Sequence, residues 1–238
     1  MEEKIAYMSK KFEEAGFAFS DNQKRQFYIF YEMLIEKNKV MNLTGITEFE
    51  EVVEKHFIDS ICLNQVVNLD KKIKILDLGT GAGFPGIPLK IAFPEIKIVL
   101  MDSLNKRILF LNEVIEELGL KDIVTVHARA EELARKTEYR EQFDICVSRA
   151  VANLSTLEEY CLPFVNIGGQ FISYKSGEVD NEVEESKKAC YLLGGELKGV
   201  HKFTLEDSGR SFVMVNKVRK TPKTYPRKAG TPSKSPLK

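Results

Sequence analysis

The sequence predicts an α/β fold: a doubly wound, mostly parallel seven-stranded sheet with an N-terminal helical cap and a C-terminal antiparallel hairpin. Three observations point there. From Lys72 to Val218, short apolar runs alternate with stretches of helical periodicity. Most of those runs are continuously apolar, the pattern of strands covered on both faces. Residues 1 to about 70, by contrast, keep helical spacing and contain no convincing strand. The expected division is therefore a helical cap over 1–70, a sheet domain over 71–218 and a basic, proline-bearing tail over 219–238.

In the cap, Ser20 followed by Gln23 reads as a capping box, and Phe27, Phe30, Tyr31, Leu34 and Ile35 then share one helical face. Asn38 and the NLTG run (Asn42 to Gly45) break that pattern. A second box, Thr47 with Glu50, predicts another helix carrying Val52, Val53, Phe57 and Ile61. His56 and Asp59 stand one turn apart on it, the spacing of a local side-chain pair.

In the sheet domain the predicted strands are Ile73 to Leu78, Ile96 to Met101, Ile123 to Val126, Phe143 to Val147, Gly169 to Tyr174, His201 to Leu205 and Ser211 to Val218. The helices between them are predicted to begin at Pro88, Lys106, Glu131, Leu157 and Glu182. Of these, Lys106 to Leu118 is amphipathic, with Ile108, Leu111, Ile115 and Leu118 inward. The turn EDSGR joins the last two strands as a hairpin.

The 238 residues carry 35 basic and 35 acidic side chains, and this balance conceals a polarity. Residues 217–238 hold eight Lys or Arg and no acid, which leaves 27 bases against 35 acids elsewhere: −8 on the body, +8 on the tail. Four of the eight prolines (Pro222, Pro226, Pro232, Pro236) also lie there. Such a segment cannot fold alone, so the tail reads either as a phosphate-neutralising arm or as a solvated terminus. No apolar run approaches a membrane span, and the start MEEKIAYMSKK does not resemble a secretory leader. Cys62, Cys146, Cys161 and Cys190 are scattered without a CxxC pair. They read as reduced core thiols of a cytoplasmic protein, and no metal site is expected.

The chemical signal is ILDLGTGAGFPG, residues 75–86, at the end of the first predicted strand. Gly79, Gly81 and Gly83 let the backbone approach a ligand closely, and Asp77 places a carboxylate beside the loop. Asp102 closes the second strand, where a carboxylate can accept both hydroxyls of a ribose. Two cofactors compete. Gly81, Gly83 and Gly86 satisfy GxGxxG and, with Asp102, admit a nicotinamide dinucleotide. That motif should lead straight into a helix that meets a pyrophosphate, whereas Phe84-Pro85 interrupts here and Pro88 delays the helix. S-adenosyl-L-methionine lacks phosphate and carries an ammonium that Asp77 can answer directly or through water, so the loop favours the methyl donor.

Across the chain, the segments MNLTGIT, KHFIDS, DLGTGAGFPGIPLKIAFP, DSLNKRILFL, ARAEEL, SRAVANL and YPRKAGTPSKSP together resemble the bacterial glucose-inhibited division protein B family. Its members are small-subunit ribosomal RNA guanine-N7 methyltransferases. The resemblance implies a class I methyltransferase, Rossmann-like fold that uses S-adenosyl-L-methionine to methylate N7 of one guanine in 16S ribosomal RNA. It further implies that Gly79 and Phe84 line the cofactor, that Ala130 and Glu131 meet the adenine, and that Arg149 sits near the methionine end.

Guanine N7 bears no proton in the neutral base, so methylating it requires alignment rather than a general base. Consistently, the fourth strand ends in VSRA, without the Asn-Pro-Pro-Tyr pattern used for exocyclic amines. Arg149 is the catalytic candidate, gripping O6, a phosphate or the cofactor carboxylate; its bland alternative is a salt bridge to Asp77 or Asp144. Arg129, Lys175 and Arg210, with Arg219, Lys220, Arg227 and Lys228 of the tail, form the expected phosphate track. The expected partner is the small ribosomal subunit or its RNA, met by a monomer. The rival functions are a noncatalytic RNA-binding assembly factor and a nicotinamide oxidoreductase.

Overall fold

In the computed structural model, residues 1–149 and 152–237 are described. Ala150 and Val151 of the SRAVANL segment, and Lys238 of the tail, lie outside the described residues. One sheet contains β1 (Lys74–Leu78), β2 (Lys97–Asp102), β3 (Ile123–His127), β4 (Phe143–Arg149), β5 (Val165–Ser176), β6 (Gly195–Leu205) and β7 (Ser208–Lys217). Its order is β3-β2-β1-β4-β5-β7-β6; β1 to β5 are parallel, and β7 runs antiparallel to both neighbours. The order reverses between β1 and β4. Beyond the carboxyl ends of those strands, a crevice is the geometric consequence.

The register explains the continuous apolarity of the strands. Successive residues face opposite cores: Ile75, Ile98 and Leu100 join one, while Leu76, Leu78, Val99 and Met101 join the other. The first core lies under α1 (Glu2–Glu14), α2 (Asp21–Met41), α5 (Gly86–Ala92) and α6 (Asn105–Glu117). The second lies under α7 (Ala130–Leu133), α8 (Leu154–Cys161) and α9 (Asp180–Leu192). The four cysteines are buried free thiols. Among the described residues, no helix is long and apolar enough to cross a membrane.

The Ser20 box forms in full: Ser20 Oγ accepts from Gln23 N at 3.3 Å, and Gln23 Oε1 accepts from Ser20 N at 3.0 Å. The same Gln23 donates through Nε2 to Ile91 O and Ala92 O at the end of α5, which docks the cap on the sheet domain. The Thr47 box does not form. Glu48 precedes α3 (Phe49–Val52) without a side-chain cap, and the backbone oxygen of Thr47 instead accepts from the Tyr31 hydroxyl at 3.3 Å. The helical run then widens to a π segment (Val53–Ile58), returns to α4 (Asp59–Ile61) and ends in a 3₁₀ turn (Cys62–Gln65).

Several boundaries also move. α5 starts at Gly86, ahead of the predicted Pro88, because the first-turn prolines leave no amide that needs an intrahelical partner. α8 starts at Leu154, where Asn153 Oδ1 accepts from Thr156 N. β6 extends back to Gly195 through a register shift between Leu197 and Gly199, which disguises the strand in the sequence.

The tail is neither a free arm nor a solvated end. Lys217, 1% exposed, roots it by donating to Leu162 O and Thr221 Oγ1. Arg140 then donates to the oxygens of Thr221, Pro222 and Tyr225, and Arg135 donates to Pro226 O. Arg227 closes a two-pronged pair on Glu159, which is fully buried. The helical turn α10 (Thr231–Lys234) follows, with Pro232 buried and its oxygen accepting from Thr156 Oγ1 at 3.1 Å. One ion pair and a series of hydrogen bonds to the tail backbone therefore hold the tail to the body in a packed seam.

Candidate functional site

The glycine loop leaves β1 and is tied to β2, since Gly79 N and Thr80 N both donate to Met101 O. Gly79, Gly81 and Gly83 all have positive φ (74°, 60° and 99°), so the turn needs residues without a Cβ. At Gly83 a Cβ would also come within 2.7 Å of Ile87 Cγ1, and at Gly86 within 2.7 Å of the Asp77 carboxylate.

Asp77 does not line the crevice surface; it is fully buried behind the loop. Its Oδ2 accepts from Thr80 Oγ1 at 2.6 Å and Gly86 N at 2.8 Å, while Oδ1 has no partner. Burial pushes its pKa up to about 7, against the downward pull of those hydrogen bonds and of Arg149. The Gly86 amide, at the start of α5 where a helix N-terminus would meet a phosphate, is thus already committed to a carboxylate. That arrangement disfavours the nicotinamide reading.

Asp102, 2% exposed, ends β2 at the crevice. Its Oδ2 accepts from Gly81 N at 3.0 Å and Arg107 at 3.1 Å, and its Oδ1 accepts from Leu104 N at 2.9 Å. Two cavities meet at this residue. The larger, about 420 Å³, runs along Gly79, Gly81, Ala82 and Phe84 to His56 and Arg149. The smaller, about 200 Å³, is lined by Ala128, Arg129, Ala130, Glu131 and Tyr160, together with Gly230 and Ser233 of the tail. Gly79, Asp102, Ala130 and Glu131 therefore fall on one trough, as the sequence implies.

The other wall was less visible in the sequence. Phe84, 6% exposed, stacks on His56 at 4.5 Å between ring centroids and packs at a tilt against the cap aromatics Phe30 and Phe57. The guanidinium of Arg149 lies 4.9 Å from the Phe84 centroid. Arg149 makes neither of the salt bridges considered for it. It pairs instead with Asp59 Oδ2 at 3.0 Å, and Arg210 takes Oδ1 of the same carboxylate at 3.1 Å. His56 and Asp59 thus meet Arg149 rather than each other: His56 Nδ1 lies 3.4 Å from the guanidinium, and Nε2 lies 2.9 Å from Thr44 Oγ1. Burial and the Arg149 charge push His56 down to about 3. Thr44 is set by Asn38, whose Oδ1 accepts from Leu43 N and Thr44 N.

Beyond His56 and Arg149 opens a further cavity of about 470 Å³, bordered by Lys55, Asp59, Tyr174, Lys175, Glu182 and Arg210. Lys175 and Arg210 reach it with their charges paired, to Glu182 at 2.7 Å and to Asp59. The remaining cations of the expected track do not gather here. Arg129 is exposed beside the smaller cavity. Arg219 and Lys220 follow β7, which runs antiparallel, so they leave from the sheet edge opposite the crevice; Arg219 lies on the Tyr191 ring at 4.5 Å. Arg227 is committed to Glu159, and Lys228 is exposed on the strap beyond it. A single track through all these cations is not what the fold builds.

Sequence reasoning passed over Thr44, Lys55 and Arg107, and read Asp59 only as a local partner of His56. Their signal was present: Thr44 lies in MNLTGIT, Lys55 and Asp59 in KHFIDS, and Arg107 in DSLNKRILFL.

Comparison with known proteins shows the family. The family model GidB, rRNA small subunit methyltransferase G, matches residues 23–212. A protein of Lachnoclostridium phytofermentans with the name ribosomal RNA small subunit methyltransferase G is 54% identical over 224 residues, covering 93% of each chain. One of the same name from Clostridium perfringens is 47% identical over 233 residues, covering 97% of this chain and 98% of its own. Among solved structures, M. jannaschii TYW2 in complex with AdoMet superposes with a TM-score of 0.56 at 12% identity, over 73% of this chain and 80% of that one. That likeness concerns the fold. With a family model over most of its length and relatives of about half identity along nearly the whole chain, the protein belongs to the rRNA small subunit methyltransferase G family.

Proposed function

We propose that this protein transfers the methyl group of S-adenosyl-L-methionine to N7 of a guanine in small-subunit ribosomal RNA. The observation that carries the reading is the meeting of two cavities at His56 and Arg149: the glycine trough on one side and the Lys55–Lys175–Arg210 cavity on the other. One suits an adenosyl group lying along backbone. The other suits a nucleotide with its phosphates.

When bound, the cofactor supplies an electrophilic methyl group on a cationic sulfur. Asp102 already accepts three donors, which leaves about one of its four lone-pair sites for a ribose hydroxyl. Ala130 and Glu131 border the place for the adenine. The buried Asp77 Oδ1 has no partner and lies behind the glycine loop, out of direct reach of the crevice, so an ammonium there would be answered only through water. The family resemblance supports the same assignments.

On the acceptor side, N7 presents a lone pair and no proton, so no base is required. His56 accords with this: held near 3, it is neutral throughout the physiological range and neither takes nor gives a proton. Its work is packing, with one face on Phe84 and Nε2 tied to Thr44. Arg149 can donate to the guanine O6 or a phosphate, the donor geometry that specifies guanine or holds its backbone. Methylation makes the base cationic. Sharing the Arg149 charge with Asp59 lowers the repulsion that an unpaired guanidinium would impose. Alignment, rather than proton transfer, supplies the rate. The protein acts as a monomer in the cytoplasm, and its partner is the small ribosomal subunit or its RNA.

The test is transfer of labelled methyl from S-adenosylmethionine to small subunits lacking the modification, followed by hydrolysis of the RNA. We expect label in 7-methylguanine. Label in another base, or none, overturns the assignment.

A further inference from the structure

The family model ends at residue 212, yet the smaller cavity is walled by residues well beyond it. Gly230 and Ser233 border the same space as Leu78, Met101, Ala130 and Glu131. Glu131 is 6% exposed, and its Oε1 accepts from Gly230 N at 2.9 Å. The tail's hold on the body is extensive: Arg227 on Glu159, Arg135 and Arg140 on tail carbonyls, and Pro232 O on Thr156. The attachments to Glu159 and Thr156 are on α8, which lends Tyr160 to the cavity, and those to Arg135 and Arg140 lie just beyond α7, which lends it Ala130 and Glu131.

From this we infer that residues 228–237 are part of the cofactor site. The strap closes the outer wall of the adenine pocket and, through the Gly230 amide, fixes the carboxylate of Glu131 so that the Ala130–Glu131 turn faces the base. The inference rests on the proposed adenosyl site. It assigns the tail a role other than RNA contact: the strap is held to the body by the Arg227–Glu159 pair and by body arginines on its carbonyls. A hydrogen bond to a charged acceptor and a wall that excludes water from an apolar ring both act on affinity rather than on chemistry. Linkage then requires reciprocity: whatever factor the docked strap adds to cofactor affinity, the cofactor adds to docking of the strap.

Two measurements test it, with S-adenosylhomocysteine as the probe. Calorimetric titration of the full chain and of a chain ending at Lys228 should give a dissociation constant about tenfold or more weaker for the shortened form, the equivalent of roughly 1.4 kcal/mol. The second keeps the full chain. Tryptic cleavage at the exposed Lys228 and Lys234 should slow about tenfold when the probe saturates the protein. A shortened chain that binds as tightly as the full one, or cleavage indifferent to the probe, overturns the inference while leaving the methyltransferase reading intact. Failure of the full chain itself to bind the probe overturns both.

Discussion

Along β1, β2 and β3 the crevice is lined by backbone: three glycines at positive φ, amides turned to Asp77 and Asp102, and the Ala130–Glu131 turn. Against the cap, β4 and β7 it is lined by charge: Asp59 between Arg149 and Arg210, with His56 pressed on Phe84. The glycine loop and Asp102 of the first wall lie about twenty positions apart, whereas the pairs of the second join residues about ninety and a hundred and fifty positions apart. A donor common to many enzymes can be held by a local loop. The acceptor must be recognised by a wall assembled only when the helical cap docks on the sheet.

The largest expected effect is on the first wall. Asp102→Ala removes a charged acceptor for the ribose and the anchor of the Gly81 amide, each worth about 1.5 kcal/mol, and should weaken S-adenosylhomocysteine binding roughly a hundredfold by titration. Next, on the second wall, Arg149→Ala should lower kcat/KM for methyl transfer roughly thirtyfold, about 2 kcal/mol. It also leaves Asp59 with Arg210 alone, so the melting temperature should drop; Arg149→Lys should restore the melting temperature more than the rate.

The two walls also titrate in opposite senses. His56 has a folded pKa near 3 against 6.5 unfolded, so between those values the unfolded chain binds the extra proton and stability falls as pH falls. Asp77 has a folded pKa near 7 against 3.8, so between those values the folded chain binds the extra proton and stability falls as pH rises. Each slope is at most about 1.4 kcal/mol per pH unit, and the two offset one another where the ranges overlap. Denaturant titration of His56→Gln between pH 4 and 6.5 should show stability declining with rising pH relative to wild type. Asp77→Asn should show the reverse trend. Parallel curves for both variants and wild type would refute the assignment. The smallest effect belongs to neither wall: Lys37→Ala breaks a half-exposed pair with Glu113 and should cost less than about 1 kcal/mol.

This contrast also explains what could be read without coordinates. The seven strands and the glycine trough were legible because period and local spacing encode them. Arg149 could be picked out as the residue closing β4, but its partner could not. Asp59 lies ninety residues earlier, and nothing in a linear pattern pairs the two. The tail misled for a related reason. Like charge and proline forbid independent folding, yet that argument is silent about docking, and Glu159, the fully buried partner of Arg227, looks like any helical acid. Thr47 kept the letters of a capping box while its backbone oxygen was taken by Tyr31.

The most direct test is a crystal structure of the protein with S-adenosylmethionine. The account expects the ribose on Asp102, the adenine between the Ala130–Glu131 turn and the tail, and the methyl group facing past Phe84 into the cavity of Lys55, Lys175 and Arg210. A cofactor lying in that cationic cavity instead, or one whose methyl group faces away from it, would contradict the account.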